Sequence, residues 1–287
     1  MMRLVTLTVC ICSSLLFVSP SWGQSQNEAE ETARKPSTCL AIARQLDSPD
    51  VPVRFASLSE PVQASNYDVT ISFQGHSTYL IRSPEGVNVA TDFAGWMTDP
   101  VVPNAVTMNQ AHSSHYTNNP DPKISHVLRG WGENGAAAEH HVTVGDVLIR
   151  NVTTDLHRFG FVPDGNSIFI FETAGLCIGH LGHLHHKLAD DHYTKIGRLD
   201  VVMVPVDGGL TMTHVSAKEI IQRLRSSVIL PMHVRAYGAL PRFLQYLGSD
   251  YPVERLSKNR LVLNLRNLPK RPTVMLLPGV GFGGYEP

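Results

Sequence analysis

The sequence predicts an α/β fold in which two β-sheets pack together and helices lie outside them. From Tyr67 onwards, short apolar runs rich in Val, Ile and Phe alternate with clusters of Gly, Pro, Asn and Asp, as is typical of strands joined by turns. Helical patterns are fewer and come late in the chain. Strands first, followed by an alternation of strands and helices, favour two sheets with helices on the outside.

The individual elements follow from these patterns. The predicted strands are YDVTISF, STYLIRS, VNVATDF, AVTMN, DVLIRNV, SIFIFET, LCIGHL and DVVMVPV. The helix candidates are HVSAKEIIQRLRSS, PRFLQYLG (Pro241 to Gly248) and KLADDHYTKIG (Lys187 to Gly197). Ser216 and Glu219 form a capping box, which predicts that the first of these helices begins there.

The first 23 residues are typical of a secretory signal. Arg3 supplies the positive charge, an apolar run follows from Leu4 to Val18, and Ser21 and Gly23 are small residues at a cleavage site. The run is shorter than the roughly 20 apolar residues that a membrane span needs. We therefore expect an exported protein, periplasmic or secreted, with no membrane span after cleavage.

The mature chain divides into a polar N-terminal extension, residues 24–66, and a main domain, residues 67–287. Two cysteines remain after cleavage, Cys39 and Cys177. An oxidising compartment permits a disulfide between them. The alternative for Cys177 is a buried, unbonded apolar residue.

The composition bounds the function. The chain has 287 residues, 43% of them hydrophobic and 17% charged, with a formal net charge of −1. This near-neutral balance gives no electrostatic reason to expect binding to nucleic acid or to an anionic membrane surface. The count of 14 histidines is compatible with transition-metal chemistry, because neutral imidazole is a common ligand.

Several of these histidines follow predicted strands or lie in glycine-rich turns. They are His76, His112, His115, His157, His183 and His233. Loops at strand ends are where a rigid sheet brings together residues that are distant in sequence. The pair His112 and His115 by itself is only a weak metal signal, because two histidines at this spacing also occur where a strand meets solvent.

Five segments together carry a family resemblance. They are GHSTYLI (Gly75 to Ile81), VATD (Val89 to Asp92), NSIFIFETAGLCIGHLG, LDVVMVPVDGG and VILPMH. Their order and spacing, over about Tyr67 to Pro278, resemble the metallo-β-lactamase fold superfamily. The resemblance is strongest to the branch with ascorbate-6-phosphate lactonase and N-acylphosphatidylethanolamine phospholipase D. It implies a four-layer αββα sandwich with two mixed β-sheets and helices outside.

The same resemblance implies a set of site residues. The family signature H-x-H-x-D-H falls on Gln110-Ala111-His112-Ser113-Ser114-His115, so Gln110 and Ser114 stand where a histidine and an aspartate are usual. The implied metal ligands are His112, His115, His157, His183 and His233. Asp92, Gln110 and His76 are expected to contact these ligands without binding the ion themselves. His183 and Ser114 are the candidate catalytic residues.

The departures from the signature favour one metal ion over two. His183 stands in the place of the aspartate that bridges two ions, and a neutral imidazole has one lone pair, so it bridges poorly. Zinc is the ion we expect, with manganese or iron as alternatives.

The resemblance implies a hydrolase of a small-molecule substrate, a lactone, amide or phosphodiester, acting through a metal-bound hydroxide, and the predicted signal makes it an exported one. His183 could then serve as the base. The alternative is a non-catalytic descendant of the fold, with a degenerate site that binds a metal or a small ligand.

Overall fold

The structure is a computed structural model that describes residues 35–40, 67–157 and 160–281. These residues form two mixed β-sheets that pack face to face, with helices on the outer face of the larger sheet. This confirms the predicted fold class. The predicted signal, residues 1–23, and most of the predicted extension lie outside the described residues. No helix within the described ranges is long and apolar enough to cross a membrane.

The elements are numbered in chain order. The strands are β1 Val69–Gly75, β2 Thr78–Arg82, β3 Asn88–Ala90, β4 Ala105–Met108, β5 His126–Arg129, β6 His141–Val144, β7 Val147–Leu156, β8 Val162–Thr173, β9 Leu176–His180, β10 Val201–Pro205, β11 Val228–Met232, β12 Val253–Arg255, β13 Leu261–Leu263 and β14 Thr273–Leu276. The helices are α1 Asp190–Ile196, α2 His214–Leu224 and α3 Ala239–Leu247, with a short 3-10 turn at Glu133–Gly135.

Each sheet has an antiparallel part and a parallel part. The smaller sheet has the order β13-β1-β2-β3-β4-β5, and it is parallel from β3 to β5. The larger sheet has the order β12-β14-β11-β10-β9-β8-β7-β6, and it is parallel from β12 to β9. Strands β9, β10 and β11 are buried along their whole length, as expected for parallel strands covered on both faces.

Three apolar clusters hold the layers together. Side chains such as Ile71 and Phe171 fill the space between the two sheets. On the outer face of the larger sheet, Ile220 of α2 and Phe243 of α3 pack against strand residues. The outer face of the smaller sheet is covered by the segments 93–104 and 109–124, both described throughout, which contain no helix. Loops therefore form the outermost layer on that side.

All three helix starts differ from the sequence prediction, and α1 begins at Asp190 instead of Lys187. The capping box at Ser216 and Glu219 is wrong as the start of α2, because the helix begins at His214 and the Thr213 side chain accepts a hydrogen bond from the Ser216 backbone N–H. Thr213 provides the same capping chemistry one turn earlier. Helix α3 begins before Pro241, which lies in its first turn, where a missing N–H costs little.

The first described segment, residues 35–40, is tied to the larger sheet. Cys39 and Cys177 form a disulfide with their Cα atoms 6.0 Å apart. The Glu172 carboxylate accepts hydrogen bonds from the Ser37 hydroxyl, 2.6 Å, and from Arg150 Nε, 2.8 Å. The disulfide that the sequence left open is therefore present, and this part of the extension packs on the main domain.

Candidate metal centre

The candidate site is built from residues that follow the ends of strands in both sheets. His76 follows β1, Asp92 follows β3, His112 and His115 follow β4, His183 follows β9, Asp207 follows β10, and His233 follows β11. The backbone at His76, Asp92 and His233 has positive φ, between 42° and 55°. The His233 backbone N–H donates to the His76 carbonyl oxygen, 2.8 Å, and this bond links the two sheets at the site.

Three imidazole Nε2 atoms converge where these strand ends of the two sheets meet. His112 Nε2 lies 3.2 Å from His115 Nε2 and 3.3 Å from His233 Nε2. Two nitrogens bound to a tetrahedral zinc ion at about 2.0–2.1 Å lie roughly 3.3–3.4 Å apart. The spacing of these nitrogens therefore fits one ion held between them.

The opposite nitrogen of each ring is held by an oxygen. His115 Nδ1 lies 2.6 Å from Asp92 Oδ2, and His233 Nδ1 lies 2.8 Å from Asp207 Oδ2. His112 Nδ1 lies 2.6 Å from the Ser114 hydroxyl. A carboxylate oxygen accepting from the other ring nitrogen is the usual arrangement behind a metal-binding histidine.

These contacts decide the tautomers of two rings. An ionised carboxylate only accepts, so Nδ1 of His115 and Nδ1 of His233 carry the hydrogens, and their Nε2 atoms present bare lone pairs. At most the His112 ring can place a hydrogen between them, and it can serve only one neighbour. The nitrogen lone pairs therefore face and repel each other, and a bound cation would remove this repulsion.

A second tier of hydrogen bonds orients Asp92. The Ser167 backbone N–H donates to Asn109 Oδ1, 2.7 Å, and Asn109 Nδ2 donates to Asp92 Oδ1, 2.8 Å. Burial by itself would raise the pKa of Asp92, but His180 and His115 outweigh burial and hold this pKa below its usual range. The carboxylate is therefore ionised, as its role in holding His115 requires.

Asp207 is a functional candidate that the sequence prediction missed. It lies in the turn PVDGG and accepts hydrogen bonds from the backbone N–H groups of Gly209 and Thr211. Its other oxygen contacts His233, and the hydrogen bonds from His233 and Thr211 hold its pKa well below the usual range, although burial by itself would raise it. The signal in the sequence was its position, at the end of the strand beside the one that carries His233.

His76 lies among the candidate ligands, although the sequence prediction placed it behind them. Its ring centroid is 4.3 Å from that of His233, and its Nε2 is buried without a hydrogen-bond partner among the described residues. His76, His112, His115 and His233 each offer a nitrogen, and all these atoms lie within 4.8 Å of one another. Burial, followed by the imidazoles of His233 and His115, lowers the pKa of His76 to about 2.

His183 also lies at the cluster. Its ring centroid is 4.7 Å from that of His233 and 5.0 Å from that of His115. His183 Nδ1 contacts His185 Nε2 at 2.8 Å, and His183 Nε2 is buried without a partner in the described part of the chain. Burial, followed by the neighbouring His115 imidazole, lowers the pKa of His183 well below its usual range.

The structure does not bring His157 to this centre. It lies instead beside Asp155 and His186, with ring centroids of His157 and His186 5.5 Å apart. His186 Nε2 accepts from the Asp155 backbone N–H, 3.1 Å, and His186 Nδ1 lies 2.8 Å from the Lys187 carbonyl oxygen. Both nitrogens of His186 are thus already used, so this second group offers no ready set of lone pairs.

The two residues that replace the family signature lie differently from each other. Gln110 lines a separate cavity of about 560 Å³ together with Trp131 and Asp164. Ser114 faces His112 Nδ1, on the side of the ring away from the converging Nε2 atoms. Ser114 therefore positions a candidate ligand and does not itself point to the place where an ion would lie.

Comparison with known proteins identifies the family to which this fold and this histidine cluster belong. Residues 70–233, more than half of the chain, match the Beta-lactamase superfamily domain, and the chain belongs to this superfamily. No curated protein matches the chain. The narrower branch suggested by the sequence motifs stays a prediction.

Three solved structures illustrate the likeness. A protein from Thermotoga maritima, assigned as a Zn-dependent hydrolase of the metallo-β-lactamase superfamily, is 26% identical with a TM-score of 0.53, and the match covers 73% of this chain and 98% of that one. A protein from Parabacteroides distasonis, assigned as a metal-dependent hydrolase, is 14% identical with a TM-score of 0.49, covering 63% and 89%. The metallo hydrolase Igni18 from Ignicoccus hospitalis is 19% identical with a TM-score of 0.46, covering 63% and 91%.

Proposed function

We propose that this chain is an exported metal-dependent hydrolase that holds one zinc ion through Nε2 of His112, His115 and His233. The observation that carries the proposal is the convergence of these three nitrogens at 3.2–3.3 Å, with two of the rings held by carboxylates from behind. Three imidazoles with a further open position are typical of catalytic zinc. Imidazole also suits iron, copper and nickel, so zinc is the part of the proposal that needs direct measurement.

The chemistry divides between the ion and the chain. When bound, zinc polarises a carbonyl or phosphoryl oxygen and lowers the pKa of a coordinated water to about 7. Asp92 and Asp207 keep His115 and His233 in the tautomers that can bind it. If His183 Nδ1 donates to His185, the unpartnered Nε2 of His183 can accept a hydrogen bond from a reacting group, although its lowered pKa makes it a weak base.

Export is supported by two separate features of the chain. The first 23 residues have the pattern of a secretory signal. The cysteines that would remain after its removal, Cys39 and Cys177, form a disulfide, and such bonds persist in oxidising compartments. A lactone, amide or phosphodiester substrate is proposed from the motif resemblance.

A non-catalytic metal-binding protein is the second candidate, and the position of His76 favours it. If His76 Nε2 joined the three other nitrogens, four protein ligands would surround the ion. A closed tetrahedral set is typical of structural zinc and leaves no place for a reacting water.

Elemental analysis of mature protein, residues 24–287, purified without a histidine tag, tests the proposal. We expect about one ion per chain in the wild type and none in the His112→Ala/His233→Ala variant. His140→Ala/His141→Ala, two histidines remote from the cluster, is the matched control and should keep its metal. Two ions per chain would refute the single-ion centre, and no ion in the wild type would refute the metal site.

Activity separates the two candidates. The metal-loaded protein is assayed on a panel of esters, lactones, amides and phosphodiesters. Turnover that a chelator abolishes and zinc restores supports the hydrolase. Bound metal with no turnover in the wild type favours the second candidate, which also predicts weaker metal binding by His76→Ala.

A further inference from the structure

A cavity of about 420 Å³ opens directly beside the candidate metal centre. It is lined by Phe73, His76, Val234, Arg235, Gly279 and Gly281. His76 forms both a wall of this cavity and part of the histidine cluster, since its ring lies 4.3 Å from that of His233 by centroid. The volume lies in the range of about 300–1,000 Å³ that is usual for small-molecule sites.

Arg235 gives this cavity its charge. Its side chain is exposed, and no carboxylate in the described ranges forms an ion pair with it. Arg235 lies two residues after His233 and lines the same cavity as His76, so its positive charge faces the space beside the histidine cluster. By contrast, three other arginines are paired with carboxylates: Arg150 with Glu172, Arg198 with Asp200, and Arg223 with Asp190.

The remaining walls leave room for a compact ligand. Phe73 offers an aromatic surface and Val234 a half-buried aliphatic one. Gly279 and Gly281 have φ of 89° and 100°, which side-chain-bearing residues rarely adopt. A Cβ at Gly279 would lie 3.5 Å from the Phe73 ring, so a larger side chain there would crowd this wall of the cavity.

We propose that this cavity binds the substrate of the metal centre, and that Arg235 binds a carboxylate or phosphate group of that substrate. A guanidinium presents its donors as a planar fork that matches both oxyanions. This inference rests on the proposed hydrolase and deepens it. The substrate class is then a small compound that carries an anionic group beside the bond to be hydrolysed, with an apolar part that packs on Phe73.

Calorimetric titration with inorganic phosphate and with acetate tests the proposal on the mature protein. The variants are Arg235→Gln, Arg235→Lys and, as the matched control, Arg242→Gln, which removes an exposed arginine that does not line the cavity. We expect Arg235→Gln to weaken anion binding about tenfold, since a hydrogen bond to a charged group is worth roughly 1.5–3 kcal/mol and 1.4 kcal/mol is a factor of ten. Arg235→Lys keeps the charge without the fork and should bind at an intermediate strength, while Arg242→Gln should match the wild type.

The outcomes separate this inference from the proposed function. Wild-type binding strength in Arg235→Gln, or no binding of either anion by the wild type at millimolar concentrations, would overturn the anion site. Stronger binding of phosphate than of acetate assigns a phosphate-bearing substrate, and the reverse assigns a carboxylate. If elemental analysis finds no metal in the wild type as purified, the hydrolase is overturned. Arg235-dependent anion binding by that same protein would still establish the anion site.

Discussion

Replacing Asp92 with asparagine is expected to weaken zinc binding although the new side chain has the same shape. The side chain is completely buried, and the backbone φ of 42° is one that asparagine tolerates well. The substitution therefore adds little strain. It changes only which groups donate and which accept around His115.

The surrounding hydrogen bonds decide how an asparagine at position 92 must lie. Asn109 has its oxygen occupied by the Ser167 backbone N–H, so it can only donate towards position 92. The new amide must accept that bond with its oxygen and turn its NH₂ group to His115 Nδ1. His115 then accepts at Nδ1 and carries its hydrogen on Nε2, the atom that should bind the ion.

The expected loss is set by this change of tautomer. Removing the group behind a metal-binding histidine typically costs about 10- to 100-fold in metal affinity, which is roughly 1.4–2.7 kcal/mol. Competition for zinc against a chromophoric chelator measures it. Asp200→Asn, which alters another buried carboxylate far from the histidines, is the control and should bind zinc as the wild type does.

A second variant tests the mechanism itself. In Asp92→Asn/Asn109→Asp, the new aspartate accepts from the new asparagine, which can then offer its oxygen to His115 Nδ1 and restore the binding tautomer. Recovery should be partial, because Asn109 Nδ2 also lies 3.3 Å from the Ser167 carbonyl oxygen, and a carboxylate there is repelled. Wild-type affinity in Asp92→Asn, or no recovery in the double variant, would refute the reasoning.

Three further predictions concern stability. Zinc at a free concentration of 100 times Kd should add about 2.7 kcal/mol to the free energy of unfolding, and calorimetry should show this as a higher Tm. A chelator should reverse the rise, and an unchanged Tm would contradict a metal site in the folded protein. Cys39→Ala should cost roughly 2–5 kcal/mol in denaturant unfolding, and a reductant should reproduce that loss in the wild type but not in the variant. Burial by itself would raise the pKa of Glu172, but hydrogen bonds from Ser37 and Arg150 hold it below its usual range. Glu172 therefore stabilises the fold above its unfolded-state pKa and loses this effect as pH falls through its folded-state pKa. Glu172→Gln should weaken the acid dependence of unfolding, and an unchanged dependence would contradict this account.

The buried strands were predictable because their sequences are continuous and apolar. Strands β9, β10 and β11 lie where LCIGHL, DVVMVPV and VILPMH predict them. Strands β5, β6, β12, β13 and β14 were not predicted, since they have only three or four residues each; β14 was missed although it is buried along its whole length. Strand β12 is exposed along its whole length and has no apolar pattern that sequence reasoning can detect.

The candidate site was predictable only in part. His112, His115, His183 and His233 were chosen from the motif resemblance, and the structure brings their rings together. His157 was chosen on a looser alignment and lies beside His186 instead. Whether any of these residues binds metal stays a prediction that elemental analysis will decide.

The sequence by itself determined most of the segments that become buried strands, β14 excepted, and that histidines follow the ends of several of them, because both depend on local patterns of apolar and polar residues. Only the tertiary structure decided that Asp207 holds His233, that His76 joins the cluster, and that Arg235 lines a cavity there. The physical reason is that these contacts join residues distant in sequence: Asp207 and His233 follow neighbouring strands of the larger sheet, and His76 follows a strand of the smaller one. Their distances and directions depend on how the sheets pack, and no local pattern in the chain contains that information.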